Sequence, residues 1–240
     1  MTLSFTEHLE QRLRESPPKQ KGERTRLRLR IATAKSLERH GYHAMRVTDI
    51  TAGAKVAEGS FYVYFTDKTD AALSVLSELL EDFLDLAVKS SSHRDPFDAI
   101  RATNRRWLSV CRANAGLMRC ILQLGDEDPN LAKLAQRANR LWYERVAQSD
   151  AKRRRSPKGP AAALLGAYLL GGMMDELVRK LIIYPDPRFA ELLEELKADD
   201  NAVADAASIV WLQVFHPEMK APAGLPRAAS VLAEWMGMRA

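Results

Sequence analysis

A chain of 240 residues with 46% hydrophobic and 28% charged positions has the make-up of an ordinary soluble globular protein, long enough for one large domain or two small ones. The sequence has no uninterrupted apolar run of about 18 residues, and "MTLSFTEHLEQRLRE" has no secretory core, which argues against membrane association and for the cytoplasm. The net charge of +5 is uneven: Met1 to Arg46 carries 11 Lys/Arg against 5 Asp/Glu, and the rest 25 against 26, as expected of an N-terminal module that meets a polyanion.

Residues 1–20 read as an extension. Ser4-x-x-Glu7 forms a capping box, and Phe5, Leu9 and Leu13 follow at helical spacing, giving a short amphipathic helix that ends before Pro17-Pro18. The basic arm "KQKGERTRLRLR" runs into a helix from about Arg24 to His40, with Leu29, Thr33 and Leu37 on one face and Gly41 as its stop. A short helix over roughly Val47 to Gly53 follows, then a tight connection at Lys55 and Val56, then a second helix from about Ala57 to Tyr64. Thr66 or Asp67 caps a long helix that continues through Leu86, and the polar "KSSSHRDP" marks a break. Beyond Pro96 the pattern is helical throughout, over about 97–113, 115–124, 129–149, 160–183, 188–198, 201–215 and 226–237. The loop "KRRRSPKGP" separates two of these segments. The expected fold class is all-α.

Cys111 and Cys120 read as buried small hydrophobes, and His40 and His43 lack neighbouring carboxylates or thiols, so no metal site is expected. No Glu-x-x-His pair occurs, which removes the bundle-core di-iron motif and with it the main enzymatic alternative. No catalytic residue and no cofactor are expected.

Four rings, Phe61, Tyr62, Tyr64 and Phe65, fall within five residues of a chain that is only 7% aromatic. "FYVYF" alternates like a strand, but no second strand candidate exists to pair with it, so a helix is preferred. Two short helices joined by a tight turn and preceded by a longer one make a helix-turn-helix, whose second helix enters the major groove. Phe61 and Phe65, four apart, would pack on Ile50. Glu58, Gly59, Ser60, Tyr62 and Val63 would then face outward, with Gly59 allowing close approach and the Ser60, Tyr62 and Tyr64 hydroxyls free to bond bases or phosphates. Lys68, in the first turn of the following helix, is placed for a phosphate.

The segment "RVTDITAGAKVAEGSFYVYFTDKTDAAL" resembles the DNA-binding segment of the tetracycline-repressor (TetR/AcrR) family, and the likeness spans about residues 24–75. It rests on Val47, Asp49, Ile50, Ala54, Val56, Glu58, Gly59, Tyr62, Tyr64, Phe65, Lys68 and Leu73. The resemblance implies a dimeric bacterial transcription factor, usually a repressor, that binds a double-stranded operator. A small molecule in the C-terminal domain would shift the spacing of its two DNA-reading heads. Carried over, it implies backbone contacts from Arg46 and Thr48, base or phosphate contacts from Ser60 and Tyr62, and phosphate contacts from Tyr64 and Lys68. Three positions depart from the family pattern. Met45-Arg46 stands where a Thr pair is usual, Lys55 where the turn glycine is usual, and Ala57 where a serine cap is usual. The last two would each cost on the order of 1 kcal/mol.

The resulting division is an extension over 1–20, a three-helix DNA-binding domain over 21–68, and a helical ligand-binding and dimerisation domain over 69–240 whose first helix, about 69–86, connects the two. "AAALLGAYLLGGMMDELVRKLII" is apolar around most of its circumference and, with "VADAASIVWLQVF", resembles the helix pair that forms the family's homodimer interface. Trp107, Met118, Leu122, Trp142, Tyr143, Tyr168, Met173 and Met174 are the candidates to line a pocket for a small, largely hydrophobic effector. Asp175 and Arg179, one turn apart, read as an ion pair.

Overall fold

Ser4, the residue that starts the first helix, accepts the backbone N–H of Glu7 at 3.3 Å in a computed structural model that describes residues 4–88, 95–154 and 159–239. Most of "KSSSHRDP" and part of "KRRRSPKGP" lie outside the described residues. Helix α1 spans Phe5–Glu15, α2 Lys21–Ala44, α3 Val47–Ala54, α4 Glu58–Phe61 and α5 Lys68–Val88. There follow α6 Pro96–Ala113, α7 Ala115–Glu127, α8 Pro129–Arg154 and α9 Gly159–Val178, the last continued by a π-helical turn, Arg179–Ile183. Helices α10 Pro187–Glu195, α11 Asp200–Phe215 and α12 Arg227–Trp235 complete the chain. The fold is all-α, and no strand occurs among the described residues.

The largest departure from the sequence reading is α4. Its helical part is a single turn, and Tyr62 to Tyr64 form a turn in which the Tyr64 and Phe65 N–H groups both bond to the Phe61 carbonyl, at 2.9 and 3.0 Å. Gly41 interrupts α2 as expected, with φ +72°, a conformation that costs glycine nothing.

Two compact units result, Met1–Asp85 with Ala113–Ala138, and Leu86–Arg112 with Asn139–Ala240. In the first, Leu29, Leu37, Ile50, Phe61, Leu76 and Leu79 are fully buried. Helix α1 seals this core with Phe5 and Leu9. It is also tied by polar bonds. The Phe5 N–H meets Asn114 Oδ1 at 2.8 Å, Thr6 Oγ1 donates to Glu38 at 2.8 Å, and Arg12 reaches Glu78 at 3.0 Å, where Arg30 also pairs. Helix α7 crosses α2 so closely that a Cβ on Gly116 would stand 2.7 Å from the Glu38 Cα, so only glycine fits there.

In the second unit, Phe97, Ile209, Leu212, Ala229 and Ala233 form an apolar cluster. Polar ties run beside it from α6 to α11. Asn104 Nδ2 donates to Ser208 Oγ at 2.9 Å, Arg105 holds the fully buried Asp205 carboxylate through bonds of 2.6 and 2.5 Å, and Arg112 holds Asp200 through 2.8 and 2.6 Å. The stretch Gly159–Ile183 has the length and hydropathy of a membrane span. An interhelical packing element shares that composition, and α9 does pack on α11, where a Cβ added at Gly166 would meet Phe215 and Val214 at 3.6 Å.

Candidate functional site

The recognition turn is built without the usual caps. Arg46 enters α3 with extended backbone and no side-chain cap bond, and Ala57 does the same ahead of α4. Lys55 adopts the left-handed conformation, φ 56° and ψ 51°, that glycine would take more easily. The geometry of the turn survives because other groups hold it. The Lys55 and Val56 N–H groups bond to the Ala52 and Thr51 carbonyls, both at 3.1 Å, and Arg28 on α2 donates to the Ala54 carbonyl and to that of Lys55 at 3.2 Å. That guanidinium clamp carried no mark in the sequence, where Arg28 is one arginine of a basic run.

Phe61 and Phe65 are buried with ring centroids 5.6 Å apart, and Ile50 is buried with them. The other half of the cluster turns outward. Tyr62 is 56% and Val63 75% exposed, values at which a ring and an isopropyl group are left for a partner. Arg46, Thr48, Glu58 and Gly59 are exposed, Ser60 and Tyr64 half-buried. Nothing within 4 Å would meet a Cβ on Gly59, so this glycine makes no close approach within the chain. The Tyr64 hydroxyl reaches Gly22 at the start of α2, which sets the basic arm beside the end of the recognition turn.

Lys68 has a local task that its sequence position did not reveal. Its Nζ donates to the carbonyls of Tyr42, His43 and Met45 at 3.4, 3.2 and 3.3 Å and lies 5.0 Å from the Tyr42 ring centroid. It thereby caps the last turn of α2, where carbonyls lack partners. Asp67, not Thr66, caps α5: its Oδ1 accepts the Asp70 N–H at 2.9 Å, and Asp70 returns a carboxylate to the Thr66 N–H at 2.9 Å.

The pocket candidates divide. Met118 and Leu122 stand on α7 in the first unit, while Trp107, Trp142, Tyr143, Tyr168, Met173 and Met174 belong to the second. Within the second unit the structure joins Trp142, Tyr143 and Tyr168 into one ring cluster, with Tyr143 and Tyr168 centroids 4.6 Å apart. Trp211 and Phe215 of α11 extend it, Trp211 standing 5.2 Å from Trp142 and stacked on Phe215 at 5.6 Å. These two rings were missed because "IVWLQVF" reads as an interface helix; their i, i+4 spacing was the available clue. Trp211 Nε1 is buried without a hydrogen-bond partner among the described residues.

Arg179 does not pair with Asp175. It pairs with Glu176, at 2.7 and 2.6 Å, because the i, i+3 partner lies on the same outer face. Asp175, on the exposed side of α9, accepts Asn139 Nδ2 at 3.5 Å, and desolvation by its neighbours pushes its carboxyl up to about 6. Burial raises the Cys111 thiol well above its usual range, as expected of an inert core cysteine.

Residues 30–75 match the family of bacterial regulatory proteins described as the tetR family. No curated protein matches the chain. Among solved structures, a transcriptional regulator from Rhodococcus sp. Rha1 superposes with a TM-score of 0.61 at 19% identity, over 78% of this chain and 96% of that one. The fatty acid degradation regulator FadR from Bacillus halodurans gives 0.58 at 18%, over 80% and 95%. FadR from Bacillus subtilis, solved in complex with stearoyl-CoA, gives 0.57 at 15%, over 79% and 97%. At these identities the likeness is one of fold.

Proposed function

We propose that this chain, which carries the tetR-family DNA-binding domain over residues 30–75, is a cytoplasmic transcriptional repressor that binds a palindromic operator as a homodimer and leaves it when a small, largely hydrophobic molecule binds the second unit. The observation that carries the reading is the split aromatic cluster. Phe61 and Phe65 anchor the recognition turn, while Glu58, Gly59, Ser60, Tyr62 and Val63 face out beside a basic N-terminal arm. Arg46, Thr48, Ser60, Tyr62, Tyr64 and Lys68 are the proposed DNA contacts, with Lys68 also positioning α2 against α5.

Dimerisation is supported by the apolar face that α9 leaves open. Leu165 is 62% and Leu169 67% exposed, and Val214 of the adjoining α11 is 46% exposed, a patch that a monomer would leave against water. For the effector, the support is the ring cluster of Trp142, Tyr143 and Tyr168 with Trp211. Linkage requires that this molecule bind the released form better than the DNA-bound form, and roughly 1–3 kcal/mol of coupling lowers operator affinity about 5–150-fold.

The test is selection of bound sites from random DNA, followed by gel shift. The expected site is palindromic, with half-sites about 34–36 Å apart or somewhat more, and affinity falls steeply with salt. Ser60→Ala and Tyr62→Ala should weaken the preferred site by ~1–3 kcal/mol while leaving nonspecific binding intact. A protein that showed no sequence preference and no salt slope would not be a repressor of this kind.

A further inference from the structure

Two arginines of the basic run "RTRLRLR" turn toward the recognition segment and hold it at both ends. At its start, Arg28 on α2 donates from Nη2 to the carbonyls of Ala54 and Lys55. At its finish, the Arg26 guanidinium carbon lies 5.9 Å from the centroid of the Phe65 ring. Leu27 and Leu29, which flank Arg28 in sequence, are buried and root α2 in the core of the first unit.

Between these grips the segment has little to fix its own direction. Helix α4 has no side-chain cap at Ala57, and its single turn is closed by the Ser60 N–H on the Ala57 carbonyl at 2.9 Å. One turn gains too little from its own hydrogen bonds to hold itself in place. The direction must come from residues 54–56, and there Lys55 sits at φ 56°, where a side chain costs energy that glycine would avoid. That strain favours any backbone in which Lys55 leaves the left-handed region, and such a movement would swing Glu58, Ser60, Tyr62 and Val63 together. Arg28 opposes it. The Ala54 and Lys55 carbonyls belong to the two planar peptide units that meet at the Lys55 Cα, so a donor that holds both fixes φ and ψ of Lys55 at once.

We propose that Arg28 is a positioning residue for operator readout, and that it has this role because Lys55 occupies the turn. Its guanidinium selects the backbone in which Ser60 and Tyr62 meet their bases, without itself touching one. This rests on the reading of the chain as an operator-binding protein and adds to it a specificity determinant outside the recognition segment.

The test compares binding to an operator selected from random DNA with binding to scrambled DNA of equal length. Arg28→Met should lower the operator-to-scrambled affinity ratio about tenfold, the scale of a lost hydrogen bond from a charged donor, and leave the salt slope on scrambled DNA unchanged. Lys55→Gly removes the strain, so Arg28→Met made in that background should change the ratio by less than about twofold, the usual margin for independent sites. Such rescue separates positioning from a general loss of stability. Arg105→Met is the stability control: its broken ion pair lies in the second unit and should lower the unfolding midpoint without altering the ratio. Arg28→Lys keeps the charge but ends one bond short of the Nη2 position, so it should lower the ratio too. That variant, in both backgrounds, carries the test if circular dichroism shows Arg28→Met unfolded. Equal losses on both DNAs, with a salt slope smaller by about one, would make Arg28 a phosphate ligand and overturn the proposal. An unaltered ratio in Arg28→Met, or the same loss with Lys55 and with Gly at that position, overturns it as well. A wild type that selects no operator would sink the repressor reading, and this inference with it.

Discussion

Two regions of the molecule use their cationic side chains in opposite ways. Around the recognition turn, Arg28 and Lys68 donate to backbone carbonyls at the ends of α3 and α2, so charge fixes where short helices stop. Between α6 and α11, Arg105 and Arg112 donate to carboxylates on a neighbouring helix, so charge fixes how long helices lie side by side. A surface that must match DNA depends on backbone placement within a few short turns, and cations that cap carbonyls supply it. A bundle surrounding a ring cluster depends on lateral spacing, and side-chain pairs supply that. The difference teaches that the same residue type is read through its acceptor, not through its charge.

The strongest way to break this comparison is Arg105→Met. It leaves the buried Asp205 carboxylate without its partner and should cost about 3 kcal/mol in urea unfolding. DNA affinity of the folded fraction should be unchanged. Next is Gly116→Ala, whose Cβ must displace the α2 backbone at Glu38, at a cost of roughly 2 kcal/mol. Gly59→Ala, in open space, serves as its control: its loss should appear in operator affinity and not in the unfolding midpoint. Lys68→Met removes three carbonyl bonds and a ring contact, for ~1–2 kcal/mol of stability. If Lys68 also meets a phosphate, the salt slope of binding drops by about one unit; if it only caps α2, the slope stays put.

Smaller effects sharpen the contrast. Lys55→Gly should stabilise the first unit by about 1 kcal/mol, because it relieves a left-handed lysine while Arg28 still holds the turn. For Asp175 the sign runs the other way from a paired acid. Its folded pKa, about 6, lies above the ordinary 3.8, so the folded state binds the proton more tightly and ionisation opposes folding. Asp175→Asn should therefore raise the melting temperature at pH 8, and the gain should fade between pH 6 and 4.

Much of the fold was legible because helices announce themselves by spacing and caps. Ser4 with Glu7, Gly41, and the i, i+4 pair of Phe61 and Phe65 over Ile50 all stand where the sequence placed them. The length of α4 was not legible, since Tyr62 to Tyr64 keep helical spacing while their hydrogen bonds tighten into a turn. Nor was the choice of partner for Arg179: Asp175 and Glu176 both lie within reach by sequence, and only the rotation of α9 decides between them. The site suffers most from this limit. Outward and inward rings at 61–65 follow from periodicity, whereas the Trp211–Trp142 contact joins residues 69 positions apart, and no local pattern records it.

Helix α1 has a practical consequence for anyone cutting the protein. The family-matched stretch 30–75 is not a folding unit, because Leu9 and Phe5 fill its core from one side and the segment 113–138 closes it from the other. A fragment begun at Lys21 would open an apolar trough along α2 and leave Asn114 Oδ1 without the Phe5 amide. Its exposed trough would recruit other copies, so aggregation would masquerade as oligomerisation in any size measurement. Limited proteolysis between Ser16 and Gln20 should accordingly yield a nicked protein whose two pieces stay together on a sizing column.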